Sequence, residues 1–236
     1  MQTELSIDAA SCSELVKTYA TESGRVYALR GVDAAFPKGK VSAIVGPSGS
    51  GKSSLLRVLA GMDHPTEGSV KVGEDEISDA SSKMLRRVRR KVGYIFQRPS
   101  DNLISYLNVL EHVKLAARYR RGPDRDPMEL LEWLGLAQRA DHRPEQLSGG
   151  EQQRVAFAQA VVGSPELVIA DEPTAELDSH ASEALLQVIH GLAEEGQSVV
   201  LSTHDPQAID IADKTLYLRH GILERVAEHG SRRSGR

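Results

Sequence analysis

Three segments of this chain carry residues whose types and spacing suit phosphate chemistry. Gly46-Pro47-Ser48-Gly49-Ser50-Gly51-Lys52-Ser53 follows the apolar run Val41–Val45 and precedes residues 54–60, which read as the first turns of a helix. Glycines let a tight loop turn its backbone N–H groups inward, and the positive end of a following helix adds to the field on an anion. In that setting Lys52 reaches the β- and γ-phosphates of a nucleotide and the Ser53 hydroxyl ligates Mg²⁺. The second segment is the apolar run 167–170 ending in Asp171-Glu172. A buried strand delivering a carboxylate at its end is how a P-loop enzyme holds its metal, so Asp171 is the metal-side carboxylate. Glu172, pointing elsewhere, can polarise water for attack on the γ-phosphate. The third is the apolar run 198–202 ending in Thr203-His204-Asp205, which sets His204 as a γ-phosphate contact.

These side chains need a scaffold. Strand, Gly-rich loop and helix in that order fix the first segment. Residues 1–10 read as a loose start, 13–19 as a strand, and 26–36 as one or two strands closed by Pro37-Lys38-Gly39, giving a small antiparallel layer. Tyr19 suits either an adenine-stacking platform or a strand-end core position. Residues 69–73 form a strand. Residues 81–91 form a helix with Lys83, Arg86, Arg87, Arg89, Arg90 and Lys91, which suits a solvated face or contact with anionic headgroups or an acidic partner. Residues 92–96 are a buried strand ending at Gln97.

Between 102 and 146 strand signals stop, and 109–119 and 128–135 have helical periodicity, with Trp133 expected in the core of an all-helical insert. Ser148-Gly149-Gly150-Glu151 opens the next helix. It reads as a capping box, or as a second anion site built from exposed N–H groups. Residues 173–178 cap a helix over 179–193, 214–225 form a hairpin, and 226–236 read as a disordered tail, since 228–236 lack apolar content.

Composition bounds the class. The 236 residues are 40% hydrophobic and 26% charged, enough for one large domain or a core with a subdomain. A formal net charge of -4 argues against a general nucleic-acid binder. The single Cys12 excludes an intramolecular disulfide and fits a reducing cytosol. The first residues lack a basic n-region and a long apolar stretch, so no signal peptide is expected, and no apolar run approaches membrane-spanning length. Membrane association is therefore expected through a partner or a surface.

From Tyr19 to about Arg225 the chain resembles the nucleotide-binding subunit of ATP-binding cassette (ABC) transporters. Gly46 to Ser53 looks like its Walker A motif, Gln97 its Q-loop, and Leu147-Ser148-Gly149-Gly150-Glu151-Gln152 its signature. Residues 167–172 look like Walker B, 175–178 the D-loop and His204 the switch histidine. The resemblance implies an α/β P-loop (RecA-like) core with a small antiparallel β layer and an α-helical subdomain. One domain is expected, with 12–97 and 163–225 as core and 98–162 as the helical part. It implies that Glu172, His204 and Lys52 are catalytic. ATP would be held by Tyr19, Gly46, Ser48, Gly49, Ser50, Gly51, Lys52, Ser53, Ser54 and Gln97. Ser148, Gly149, Gly150 and Asp178 would act across a head-to-tail dimer with a second copy. Mg²⁺ would lie on Ser53, Gln97 and Asp171. The other partner implied is a transmembrane permease that places the subunit on the inner membrane face.

Within the family, residues 97–111 look most like the lipoprotein-release, macrolide-efflux and cell-division branch. Ser54 stands where Thr is commoner. Ala158-Gln159-Ala160 stands where Ala-Arg-Ala is usual, which implies a lost salt bridge in the insert. Residues 101–107 are a variant of the branch's loop. Competing classes are a cell-division ATPase that signals without transport, a soluble ABC ATPase acting on DNA or ribosomes, and a small-molecule kinase. The kinase has no use for residues 147–152, and the soluble class usually carries coiled coils or two cassettes.

Overall fold

The computed structural model describes residues 8–22, 24–120 and 125–229. Its central sheet has six strands in the order β10-β9-β3-β8-β7-β6. These are β3 (Val41–Val45), β6 (Val92–Ile95), β7 (Leu167–Asp171), β8 (Val199–Thr203), β9 (Lys214–Arg219) and β10 (Ile222–Glu228). β3 pairs in parallel with β8 and β9, β7 with β6 and β8, and only β10 runs antiparallel, against β9. Every residue of β7 and β8 is buried, as continuous apolar runs in a sheet covered on both faces must be. Because these strands are parallel, the loops after β3, β6, β7 and β8 leave the same edge, where ligands of open α/β sheets bind.

A second, antiparallel sheet has the order β2-β1-β4-β5, from β1 (Asp8–Thr21), β2 (Gly24–Pro37), β4 (Glu67–Val72) and β5 (Asp75–Glu76). Its apolar face and α1 (Lys52–Leu59) share one buried cluster containing Leu15, Leu29, Phe36, Leu55, Leu56 and Leu59. The expected small antiparallel layer is thus present. Its first strand begins earlier than expected, because Ala9 and Ala10 are buried and Ala10 pairs with both Phe36 and Val72. Residues 1–7 lie outside the described residues. The stretch 26–36 is part of one long strand, not two.

Among the described residues, every element between 99 and 161 is helical. The main ones are α3 (Val109–Arg120), α4 (Pro127–Trp133) and α5 (Gly149–Val161). Their apolar faces join the other face of the central sheet and α6 (Ser179–Glu194) in one cluster, running from Val113 and Leu131 through Phe157 to Val168, Leu186 and Leu201. Arg120 ties the helices to the sheet. Its guanidinium donates to the carbonyls of Arg90, Val92 and Gln159. Gln159, at the position where the family usually has arginine, donates to the Asn102 carbonyl at 3.2 Å.

Two expectations fail. Trp133 is 44% exposed. The short α4 buries Leu130 and Leu131, while Trp133 lies off that stripe against Gly191 of α6. The tail expected over 226–236 fails over its described part, since Val226, Ala227 and Glu228 pair with Leu216, Thr215 and Lys214. A polar edge strand needs backbone pairing more than apolar content. His229 continues the contact, its N–H donating to the Asp213 carbonyl at 2.8 Å. Residues 230–236 lie outside the described residues, as do 121–124 of the expected loop between α3 and α4.

Candidate active site

The Gly-rich loop leaves β3 at Gly46, and its glycines serve different needs. A Cβ on Gly46 would stand 2.0 Å from the Leu218 carbonyl oxygen, so this glycine lets the loop lie against β9. Gly49 and Gly51 have φ of +76° and +105°, in the left-handed region. Ser50 is buried, its hydroxyl turned beneath the loop and its N–H donating to the Pro47 carbonyl. No side chain caps α1, whose N-cap is Gly51, so its first N–H groups point to the cleft.

Lys52 is only 6% exposed. Its ammonium donates to the Gly46 carbonyl at 2.8 Å and the Pro47 carbonyl at 3.3 Å, and pairs with Glu172 Oε1 at 3.2 Å. Glu172 Oε2 lies 3.3 Å from His204 Nδ1. Lysine, glutamate and histidine, far apart in sequence, thus form one row across the mouths of β3, β7 and β8. Glu172 has φ +44°, a left-handed conformation uncommon for a residue with a side chain. That turn separates its carboxylate from that of Asp171.

Asp171 is buried and accepts a 2.6 Å hydrogen bond from Ser202 Oγ. The Glu172 N–H donates to Ser202 Oγ at 2.9 Å and to the Ser202 carbonyl at 3.1 Å. Ser202 therefore fixes both acidic residues, and reading the sequence for chemistry missed it. The available signal was a hydroxyl near the end of an otherwise apolar strand, paired in register with Asp171.

A cleft of about 380 Å³ is lined by Gly46, Pro47, Ser48, Gly49, Lys52, Ser53, Gln97, Glu172 and His204. The loops after β3, β6, β7 and β8 all contribute, and Asp171 sits beside them. Other candidates lie elsewhere. Tyr19 donates to Asp63 Oδ2 at 2.9 Å and lies 3.4 Å from Ser54 Oγ, with the Lys17 ammonium over its ring at 4.9 Å. Burial alone would raise the Asp63 carboxyl, but the hydrogen bonds from Lys17 and Tyr19 hold it below the usual range.

Ser148 caps α5 in a full capping box. Its N–H and Oγ both donate to Glu151 Oε2, and the Glu151 N–H donates back to Oγ. Hydrogen bonding from the Ser148 backbone, aided by Arg139, lowers the Glu151 carboxyl to about 2. Gly149 faces open space. Asp178 caps α6, accepting from the Ala181 N–H at 2.8 Å. Neither Ser148 to Gly150 nor Asp178 lines the cleft of its own chain.

A sequence profile described as ABC transporter matches residues 29–175. The chain belongs to the ABC transporter family. It is 41% identical over 219 residues to an uncharacterized ABC transporter ATP-binding protein of Thermotoga maritima, covering 91% of this chain and 93% of that one. It is 36% identical to the macrolide export ATP-binding/permease protein MacB of Escherichia coli K12, covering 90% of this chain but 33% of MacB. The dimeric post-hydrolysis structure of the ATP-binding cassette MJ0796, bound to ADP and Pi, superposes with a TM-score of 0.85 at 36% identity, over 93% of this chain and 98% of that one. This chain is accordingly an ATP-binding, ATP-hydrolysing cassette with the P-loop α/β fold that its motifs imply.

Proposed function

We propose that this cassette works as a head-to-tail pair with a second copy and drives a separate transmembrane permease, in the manner of lipoprotein-release or macrolide-efflux systems. The observation that carries the reading is the division of the phosphate-binding groups. Lys52, Ser53, Gln97, Glu172 and His204 meet in one cleft, while the helix start at Ser148 to Gly150, exposed at Ser148 and Gly149, is not part of its lining. A second copy supplies that helix start to close over the γ-phosphate, and Asp178 stands at the same seam. Export is favoured over import by the likeness of residues 97–111 to that branch. Signalling without transport is the second reading, since it uses the same ATPase.

Within the cleft, Lys52 and the free N–H groups of α1 hold the β- and γ-phosphates. Glu172 takes the proton of the attacking water, and His204 orients the γ-phosphate. The oxygen donors of Ser53, Gln97 and Asp171 suit Mg²⁺, which would neutralise phosphate charge there. Tyr19 stacks on the adenine ring by the face that Lys17 leaves open. Residues 98–162 act as the helical unit linking Gln97 to the permease. Among the described residues no helix is long and apolar enough to cross a membrane. Attachment to the inner membrane face runs through the permease.

The test is Glu172→Gln. It keeps the side chain's size, removes the base, and should lower steady-state hydrolysis at least about a hundredfold. ATP should then accumulate a dimer visible by light scattering. Turnover near the parent's, or a monomer at saturating ATP, would sink the assignment.

A further inference from the structure

We propose that the face shared by α2 (Ser82–Lys91) and α3 binds the anionic phosphate headgroups of a phospholipid surface. The inference goes beyond the permease reading and stands on charges and geometry of its own.

The helix α2 is cationic along most of its length, yet its cations are not alike. Lys91 is held by Asp75 and Glu166 at 2.9 and 3.0 Å, and Arg89 donates to the Gly61 carbonyl. These two are part of the fold. Lys83 and Arg86 are exposed and have no carboxylate partner among the described residues, and Arg87 stands 3.8 Å from Asp75. Arg90 lies over the Tyr119 ring at 5.8 Å, with its Nε buried and unbonded. Together with Ser81 and Met84 these cations line an open hollow of about 500 Å³.

Tyr119 brings in α3. On that helix Leu115 and Tyr119 are four residues apart and 49% and 47% exposed. Lys114 and Arg118 form the adjoining exposed stripe. The combined face thus interleaves cations with large apolar side chains, in a chain whose formal net charge is -4. Long cationic stems lying among exposed Leu and Tyr are what a headgroup layer above acyl chains accommodates. The cations are spread over two helices and do not converge on one point. That suits a layer presenting many phosphates at once better than a single acidic segment of a protein.

The experiment is vesicle flotation of the full chain, with phosphatidylcholine alone and with phosphatidylglycerol added. Binding is expected only to the anionic vesicles and should weaken as salt rises. Replacing both Lys83 and Arg86 by Gln should weaken it about thirtyfold, at roughly a factor of five per cation. ATP hydrolysis and thermal midpoint should not move, since neither residue touches the cleft. Leu115→Gln should weaken binding without changing its salt dependence. Equal binding to both vesicle types, no binding to either, or parental binding by the double variant overturns the proposal. So does release by inorganic phosphate at matched ionic strength, which would mark a small-anion site. Preferential binding of polyglutamate over anionic vesicles would assign the face to an acidic protein partner and also overturn it. None of these outcomes bears on whether Glu172→Gln traps a dimer, so the two readings fail separately.

Discussion

Asp171 ends its strand beside the cleft, and Ser202 fixes its carboxylate there. The 2.6 Å bond between them is buried, and a buried carboxylate deprived of a donor is costly, at about 1.5–3 kcal/mol for a charged partner. Ser202→Ala should therefore lower the thermal midpoint by several degrees and reduce ATP hydrolysis, with differential scanning fluorimetry and phosphate release as the readouts. An unchanged midpoint together with unchanged turnover would show that the hydroxyl does neither. This residue marks where reading the sequence stopped. Lys52 was legible because it closes a Gly-rich loop between a strand and a helix, and Asp171, Glu172 and His204 because each is a titratable side chain just past an apolar run. Ser202 lies inside such a run, and only strand register sets it opposite Asp171. Gly46 is a similar case. Its place in the motif was visible, while its reason, the Leu218 carbonyl from a distant strand, was not.

At the scale of elements, one buried histidine holds the second half of the loop between Gln97 and α3. His112 Nε2 accepts the Ile104 N–H at 2.8 Å, and Nδ1 lies 2.7 Å from the Asn108 carbonyl, so the ring is neutral with its proton on Nδ1. Burial pushes its pKa below the ordinary 6.5, against opposing pulls from the Asn108 carbonyl and the Glu111 carboxylate. A depressed histidine contributes stability above the unfolded-state value, and that contribution is lost as pH falls from about 6.5 through the folded value. Chemical denaturation at several pH values should thus show stability declining below pH ~6.5, by at most about 1.4 kcal/mol per unit from this group. His112→Leu should be less stable at neutral pH but flatter across the window, and a parallel decline in both proteins would exclude the ring. The helical periodicity of 109–119 was plain from the sequence, yet the histidine's role required the loop to fold back over it. The ends of β1 and β10 escaped for a related reason. Strand pairing there is set by a neighbour's backbone, and the few apolar residues involved, Ala9 and Ala10 in β1 and Val226 and Ala227 in β10, are too short a run to show a strand period.

For the whole molecule, the proposed pairing turns on one observation: Ser148 to Gly150 are not among the residues that line the cleft holding Lys52. In the proposed two-fold pair each complete site would take Lys52 from one copy and Ser148 to Gly150 from the other. Lys52→Met should disable the loop half of both sites in a homodimer, and Ser148→Arg the helix half of both, so each variant alone should be inactive. In a mixed dimer the two lesions fall in the same site, and the other site receives an unaltered loop and an unaltered helix start. Mixing equal amounts should therefore restore about a quarter of parental ATP hydrolysis, since half of randomly paired dimers are mixed and each holds one intact site. Each variant keeps its cleft lining outside the altered residue, and Ser148→Arg alone should still bind nucleotide as a monomer. Recovery on mixing can arise only if the halves come from different copies. If the mixture stays inactive while cross-linking shows mixed dimers, Ser148 to Gly150 serve their own chain as a helix cap and the closure over phosphate must be sought elsewhere.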